Sequence, residues 1–192
     1  MPILKNTLNP FSAARTSLAI ATFALVTAGT LCVAGPAVAA QTCSSTISNS
    51  TVPGDVVVSG RCVISGSTVE GGVSVQPGAT LVVVNSSVQG AVKGEQPKEI
   101  EIKGSNLDKG ISIVGGIDVL KLISSTVDGG DVTASGAKSV VIVQSSLLGG
   151  LVLKDDSRQL SIRDSTVAKG LSCNRGMSYQ AIGSTLQGKT GC

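Results

Sequence analysis

The feature that most constrains this chain is a short motif that returns eight times. Ser67-Thr68-Val69-Glu70-Gly71-Gly72-Val73-Ser74-Val75 is echoed by Ser50-Thr51-Val52-Pro53-Gly54-Asp55-Val56, Ser125-Thr126-Val127-Asp128-Gly129-Gly130 and Ser145-Ser146-Leu147-Leu148-Gly149-Gly150-Leu151. Fainter copies begin at Ser86, Ser105, Ser165 and Ser184. Numbered from Val52, Val69, Val88, Leu107, Val127, Leu147, Val167 and Leu186, the copies step by 17, 19, 19, 20, 20, 20 and 19 residues. A period near twenty residues is the mark of a solenoid, in which no repeat buries its apolar face alone and stacking makes the core.

Each copy follows one grammar. A serine stands two residues before the anchor, and glycine follows it within a few positions, where a sharp corner would use its freedom at positive φ. A short alternating run comes next, such as Val73-Ser74-Val75 or Leu151-Val152-Leu153, then a polar loop such as Gln76-Pro77-Gly78 or Lys154-Asp155-Asp156-Ser157-Arg158. A second alternating run closes the copy, as in Leu81-Val82-Val83 or Leu160-Ser161-Ile162. Period-two alternation gives one buried face per segment, and no segment has helical spacing. The pattern predicts an all-β, single-stranded parallel β-helix of about eight coils of 17–20 residues, with three short strands per coil. At about 4.8 Å per coil it would be roughly 40 Å long. The variable coil length favours a right-handed helix over a left-handed one built on strict hexapeptides, and Asp131 reads as a one-residue insertion before Val132. An ordinary β-sandwich also uses short strands and glycine turns, but it does not require an unbroken period.

The first 39 residues stand outside this pattern. Lys5 and Arg15 give a positive start, Ser17 to Val33 is apolar, and Ala37-Val38-Ala39 offers small residues for cleavage. That order predicts a secretory signal peptide over 1–39 and a β-helix domain over 40–192. The apolar run is short for a membrane anchor, and no stop-transfer pattern follows it. Cys32 follows Leu31, where lipidation would require a small residue. Without Lys5 and Arg15 the 15 basic residues become 13 against 12 acidic ones, a net charge of +1. Such a balance gives no electrostatic footprint for nucleic acid. The remainder has Tyr179 as its sole aromatic residue and the chain has no His or Trp, so the core must be filled by slim aliphatic side chains.

Four cysteines follow the leader: Cys43, Cys62, Cys173 and Cys192. Four can pair in three ways. Cys173 and Cys192 each lie six residues after an anchor, so they occupy one position in adjacent coils and should stack within disulfide reach. Cys43 and Cys62 are also 19 residues apart, though less well aligned. The expected pairs are Cys43–Cys62 and Cys173–Cys192, closing the end coils and pointing to an oxidising compartment.

The recurring Ser50, Ser67, Ser86, Ser105, Ser125, Ser145, Ser165 and Ser184 share parity with the apolar anchors. They read as an inward structural ladder whose hydroxyls satisfy buried carbonyls or one another. A Ser-His-Asp site is excluded because the chain has no His. A Ser-Lys pair is conceivable at Lys121 with Ser124 or Ser125. The residues after these serines, Thr51 through Thr185, face outward, in a column that Asn106 interrupts. This single column resembles part of an ice-binding surface, which usually shows a doubled Thr row. Glu70, Asp108 and Asp128 share one repeat position with Gln89, and Asp155-Asp156 lies beside Arg158. These could be solvated charges or parts of a carbohydrate-processing site.

On these motifs the chain resembles the right-handed β-helix superfamily, and more narrowly small secreted bacterial repeat proteins with Ser-Thr-Val-x-Gly-x-Val coils. Their ends resemble Gly170-Leu171-Ser172-Cys173-Asn174, Gly183-Ser184-Thr185-Leu186-Gln187-Gly188 and the terminal Cys192. The resemblance spans Cys43 to Cys192 and implies architecture rather than activity. Coil length is also similar to that of bactofilins, cytoplasmic β-helices that polymerise end to end, from which the leader and the cysteines depart. Pectate-lyase-like solenoids share the scaffold, but use clustered carboxylates, calcium and a basic residue. The expectation is a secreted or surface-located, non-enzymatic spacer, coat or adhesion protein without cofactor or metal. Its expected partners are envelope polysaccharide or copies of itself, with no nucleic acid and no membrane span after leader removal. The alternative is a small polysaccharide lyase or hydrolase; an ice-binding protein or a filament is a further reading.

Overall fold

The computed structural model describes residues 39–175 and 177–192. The leader expected over 1–39 lies, but for Ala39, outside the described residues. The described chain is a β-solenoid of eight full coils plus one further strand, and each coil visits three parallel sheets in turn. Sheet 1 runs from Gln41–Cys43 to Thr190–Gly191 and has nine strands; sheets 2 and 3 have eight each. Sheet 2 runs from Thr46–Ser48 to Ser178–Ile182, and sheet 3 from Thr51–Val52 to Thr185–Leu186. Every strand pairs in parallel with its equivalent one coil away, as in Val73 with Val92 and Leu81 with Ile100. The insertion at Asp131 is visible in the register. Leu107 pairs with Val127 and Ile111 with Val132, so four steps oppose five.

The core is a set of aliphatic columns. Sheet 3 supplies one, Val52 through Val167, and sheets 1 and 2 supply two each, all fully or almost fully buried. A further column was not visible as apolar alternation. Ala79, Pro97, Ile117, Ala137, Ser157 and Met177 turn inward at the corner between sheets 1 and 2. Pro97 there fills the space left by Gly94, whose missing Cβ would lie 2.9 Å from the proline ring. Tyr179 takes an inward position over Leu160 but stays 42% exposed. It is in the last complete coil, where no further layer must fit above a large ring.

The glycines that follow the anchors meet the expectation in part: Gly130, Gly170 and Gly188 have φ between 75° and 98°. Positive φ is absent at Gly71, Gly90, Gly129 and Gly149. What they lack is room. A Cβ on Gly149 would collide with the carbonyl oxygen of Gly130, and one on Gly71 with the backbone of Gly54 and Asp55. The corner between sheets 3 and 1 is therefore packed backbone on backbone, coil on coil, and at Gly71, Gly90, Gly129 and Gly149 glycine is required by the adjoining layer rather than by its own dihedral.

This predicts that Gly149→Ala destabilises the fold by roughly 1–3 kcal/mol through overpacking. Gly60→Ala, whose Cβ would meet only Ser44 Cβ at 3.8 Å, should stay within about 0.5 kcal/mol of the parent. Denaturant titration of the two variants checks the contrast.

Candidate functional site

The repeated serines form one continuous hydrogen-bonded column at the corner between sheets 2 and 3. Each serine's backbone N–H donates to the hydroxyl of the serine one coil on: Ser50 to Ser67 at 3.2 Å, Ser105 to Ser125 at 3.3 Å and Ser165 to Ser184 at 3.2 Å. The links Ser67–Ser86, Ser86–Ser105, Ser125–Ser145 and Ser145–Ser165 complete the run. Each hydroxyl then donates to the carbonyl two residues before it, as Ser67 does to Ser65 at 2.8 Å and Ser125 to Ile123 at 2.7 Å. The hydroxyls thus do not bond one another, as one reading of the sequence had it. They accept from backbone amides and donate to backbone carbonyls, and Ser67 through Ser165 are buried while doing so.

The reason lies one residue earlier. Asn49, Gly66, Asn85, Gly104, Ser124, Gln144, Asp164 and Gly183 all have φ between 47° and 61°. This left-handed ladder turns the chain at every coil. It also aims the next N–H at the following coil, where a hydroxyl must meet it. Sequence reasoning missed this ladder, although its run of Asn, Gly and Asp is the composition that such backbone prefers. The polar members also shelter the glycines: Asn49 Oδ1 lies over Gly66, Asn85 Oδ1 over Gly104 and Asp164 Oδ1 over Gly183.

Neither serine offered for a Ser-Lys pair bonds Lys121: the exposed Ser124 hydroxyl donates to Gln144 Oε1 at 3.4 Å. Ser125 faces the core, while Lys121 points outward from sheet 2 and donates to Glu99 Oε1 at 2.9 Å. That hydrogen bond raises the Lys121 pKa above the ordinary lysine value, holding the ammonium charged. Glu70, Gln89, Asp108 and Asp128 do stack on successive coils, because their amides donate to Val52, Val69, Val88 and Leu107 in turn. All four are exposed, and Asp108 accepts from Asn106 Nδ2 at 2.8 Å. Asp155 accepts from Ser135 Oγ. Among the described residues no group of three or more acidic, His or Cys side chains converges to hold a metal ion.

The cysteines lie in two disulfides. Cys173 and Cys192 stack within sheet 1 with Cα atoms 4.7 Å apart. Cys43 and Cys62 have Cα atoms 5.6 Å apart but come from different walls. Cys43 is in sheet 1 beside Val58, and Cys62 is in sheet 2 beside Leu81. This is the physical cause of their poor alignment in the repeat. The first bond is buried in the core, with Cys62 fully inaccessible, whereas Cys192 is exposed.

Among the grooves on the outer surface of the described residues, two stand out by size. One, of about 440 Å³, lies on sheet 1 and is lined by Val57, Ser74, Pro77, Lys93, Glu95 and Ser112. The other, of about 480 Å³, follows the corner between sheets 1 and 2. There Lys138 donates to Asp118 at 2.6 Å and holds that carboxyl's pKa below its ordinary value. No protein-family model matches the chain, and no curated protein or solved structure matches it.

Two substitutions separate these roles. Ser125→Ala strands the buried Ser105 N–H and is expected to cost about 1–3 kcal/mol. Ser124→Gly relieves a non-glycine residue in the left-handed region and is expected to stabilise by about 0.5–1 kcal/mol. Chemical denaturation midpoints with unchanged slopes would check both signs.

Proposed function

We propose that this is an exported, non-enzymatic structural protein of the bacterial surface or exterior. In this reading a right-handed β-helix serves as a rigid spacer, coat element or adhesion surface. The observation that carries the reading is where the repeated hydroxyl chemistry goes. The serine column is consumed internally, donor and acceptor alike, by neighbouring coils. The repeat therefore builds a wall. Disulfides at both ends favour an oxidising compartment, in keeping with the leader pattern of residues 1–39. The variable coil length and the general hand of parallel crossover connections favour the right-handed form.

A carbohydrate-active alternative has one feature in its favour, the sheet 1 groove with Lys93 and Glu95 beside Ser74 and Ser112.

Fractionation of producing cells tests the first reading. The protein should be recovered outside the cytoplasm with all four cysteines of the solenoid oxidised. Incubation with acidic and neutral polysaccharides plus calcium tests the second. The proposed function predicts no chain shortening, and turnover that disappears in Lys93→Ala or Glu95→Gln would overturn it.

A further inference from the structure

The outer face of sheet 2 carries a pattern that sheet 3 lacks. Its central outward column reads Thr46, Val63, Val82, Glu101, Lys121, Val141, Ser161 and Gln180, one residue per coil, fixed by the strand register. The flanking column continues the theme with Val84, Lys103, Ile123 and Val143. By contrast, the outward column of sheet 3 is Thr51, Thr68, Ser87, Asn106, Thr126 and Ser146, polar throughout. Sheet 2 thus has an apolar patch, a charged belt at mid-length, and a second apolar patch. The belt is itself divided, with Glu101 on one strand and Lys121 on the next.

We infer that sheet 2 is a self-association surface, on which two copies of this chain pack face to face with their long axes antiparallel. The argument is one of symmetry. A two-fold axis parallel to the strands and midway between Glu101 and Lys121 reverses the order of the coils while keeping each column on itself. It sets Glu101 against the partner's Lys121, Val82 against the partner's Val141, Val84 against the partner's Val143 and Thr80 against the partner's Ser139. At the centre, charge meets opposite charge, and the valines beside it meet valines, as an isologous interface requires; on the flanks Lys103 lies along the partner's Ile123 and Glu99 along the partner's Val119, so the match rests on the central strands. A two-fold along the solenoid axis would instead set Glu101 on Glu101. The Lys121–Glu99 pair at 2.9 Å holds the belt in place beforehand. Val82, Val84, Val141 and Val143 are only half-buried in the single chain.

The area suffices. A face five residues wide and eight strands tall covers about 16 by 38 Å, or about 600 Å² per copy. Burying both faces removes about 1,200 Å², the lower part of the range for specific complexes. Sheets pack face to face at about 10 Å, a separation that valine side chains from both faces fill.

Sedimentation velocity of the disulfide-intact protein, from micromolar to near-millimolar concentration, reads the equilibrium. The expected result is a reversible dimer. Lys121→Glu, on the outer face, should leave the circular dichroism melt of the fold in place and raise the dimer dissociation constant about tenfold or more. The double variant Glu101→Lys with Lys121→Glu should restore dimerisation, because the swap is reciprocal across the two-fold. A second readout is the pair Thr80→Cys and Ser139→Cys. Within one chain these positions are three strands apart, about 14 Å, and across the two-fold they are about 10 Å apart, so a bifunctional thiol reagent that spans the shorter distance and not the longer should link two chains. A monomer at all concentrations overturns the proposal. So does a dimer that neither Lys121→Glu nor Val141→Lys weakens and that the two new cysteines fail to cross-link.

Discussion

A backbone amide at a buried corner has to find an acceptor, and in this protein the serine column provides one at every turn. The left-handed residue before each serine bends the chain and turns the serine N–H toward the next coil. The hydroxyl waiting there accepts it and donates in turn to a carbonyl on its own coil. Seven such links run the length of the solenoid. Each removes an unsatisfied buried group whose exposure to an apolar interior would cost about 1–3 kcal/mol. With the corner fixed, the strands on either side stack in register, and the aliphatic columns close behind them.

The same dependence on the layer beneath explains the composition. A coil interior at strand spacing offers each side chain neighbours of its own kind above and below, and here those columns are filled by slim aliphatic residues. Glycine at the corner between sheets 3 and 1 is the extreme case, where even a methyl group would strike the previous coil. The ends behave differently because one neighbour is missing. Cys43–Cys62 ties two walls across the interior at the start, and Cys173–Cys192 ties two layers of one wall at the finish. A covalent loop of that length contributes on the order of 3 kcal/mol in the chain-entropy view.

The architecture was legible because the repeat states it eight times. Val69 and Val88, or Leu151 and Leu171, carry the period and the parity together, and the inward serines follow from the same parity. What the sequence concealed depends on contacts between layers. Gly149 looks like any turn glycine until the carbonyl of Gly130 is placed beneath it. Asn49, Ser124, Gln144 and Asp164 look like unrelated polar residues until a shared φ unites them. Pro97 and Ser157 lie in loops that read as exposed, yet they complete a core column. Cys43 seems out of step with Cys62 because the count along the chain does not say which wall each has reached. The candidate chemistry was less legible for a related reason. Lys121 and Ser125 share parity, yet the left-handed turn at Ser124 shifts the alternation and leaves them on opposite faces, so nearness in sequence is no guide to assembly.

The central claim is that the serine amides are structural hydrogen-bond donors locked between coils, and amide hydrogen exchange measures this residue by residue. The account predicts that the N–H groups of Ser86, Ser105 and Ser125 exchange as slowly as the strand amides of Leu81, Ile100 and Leu120. It predicts that the Ser184 N–H, which has no coil above it, exchanges fastest of the column. Serine amides in the middle coils that exchange at the rate of exposed loops, with the adjacent strands protected, would contradict it.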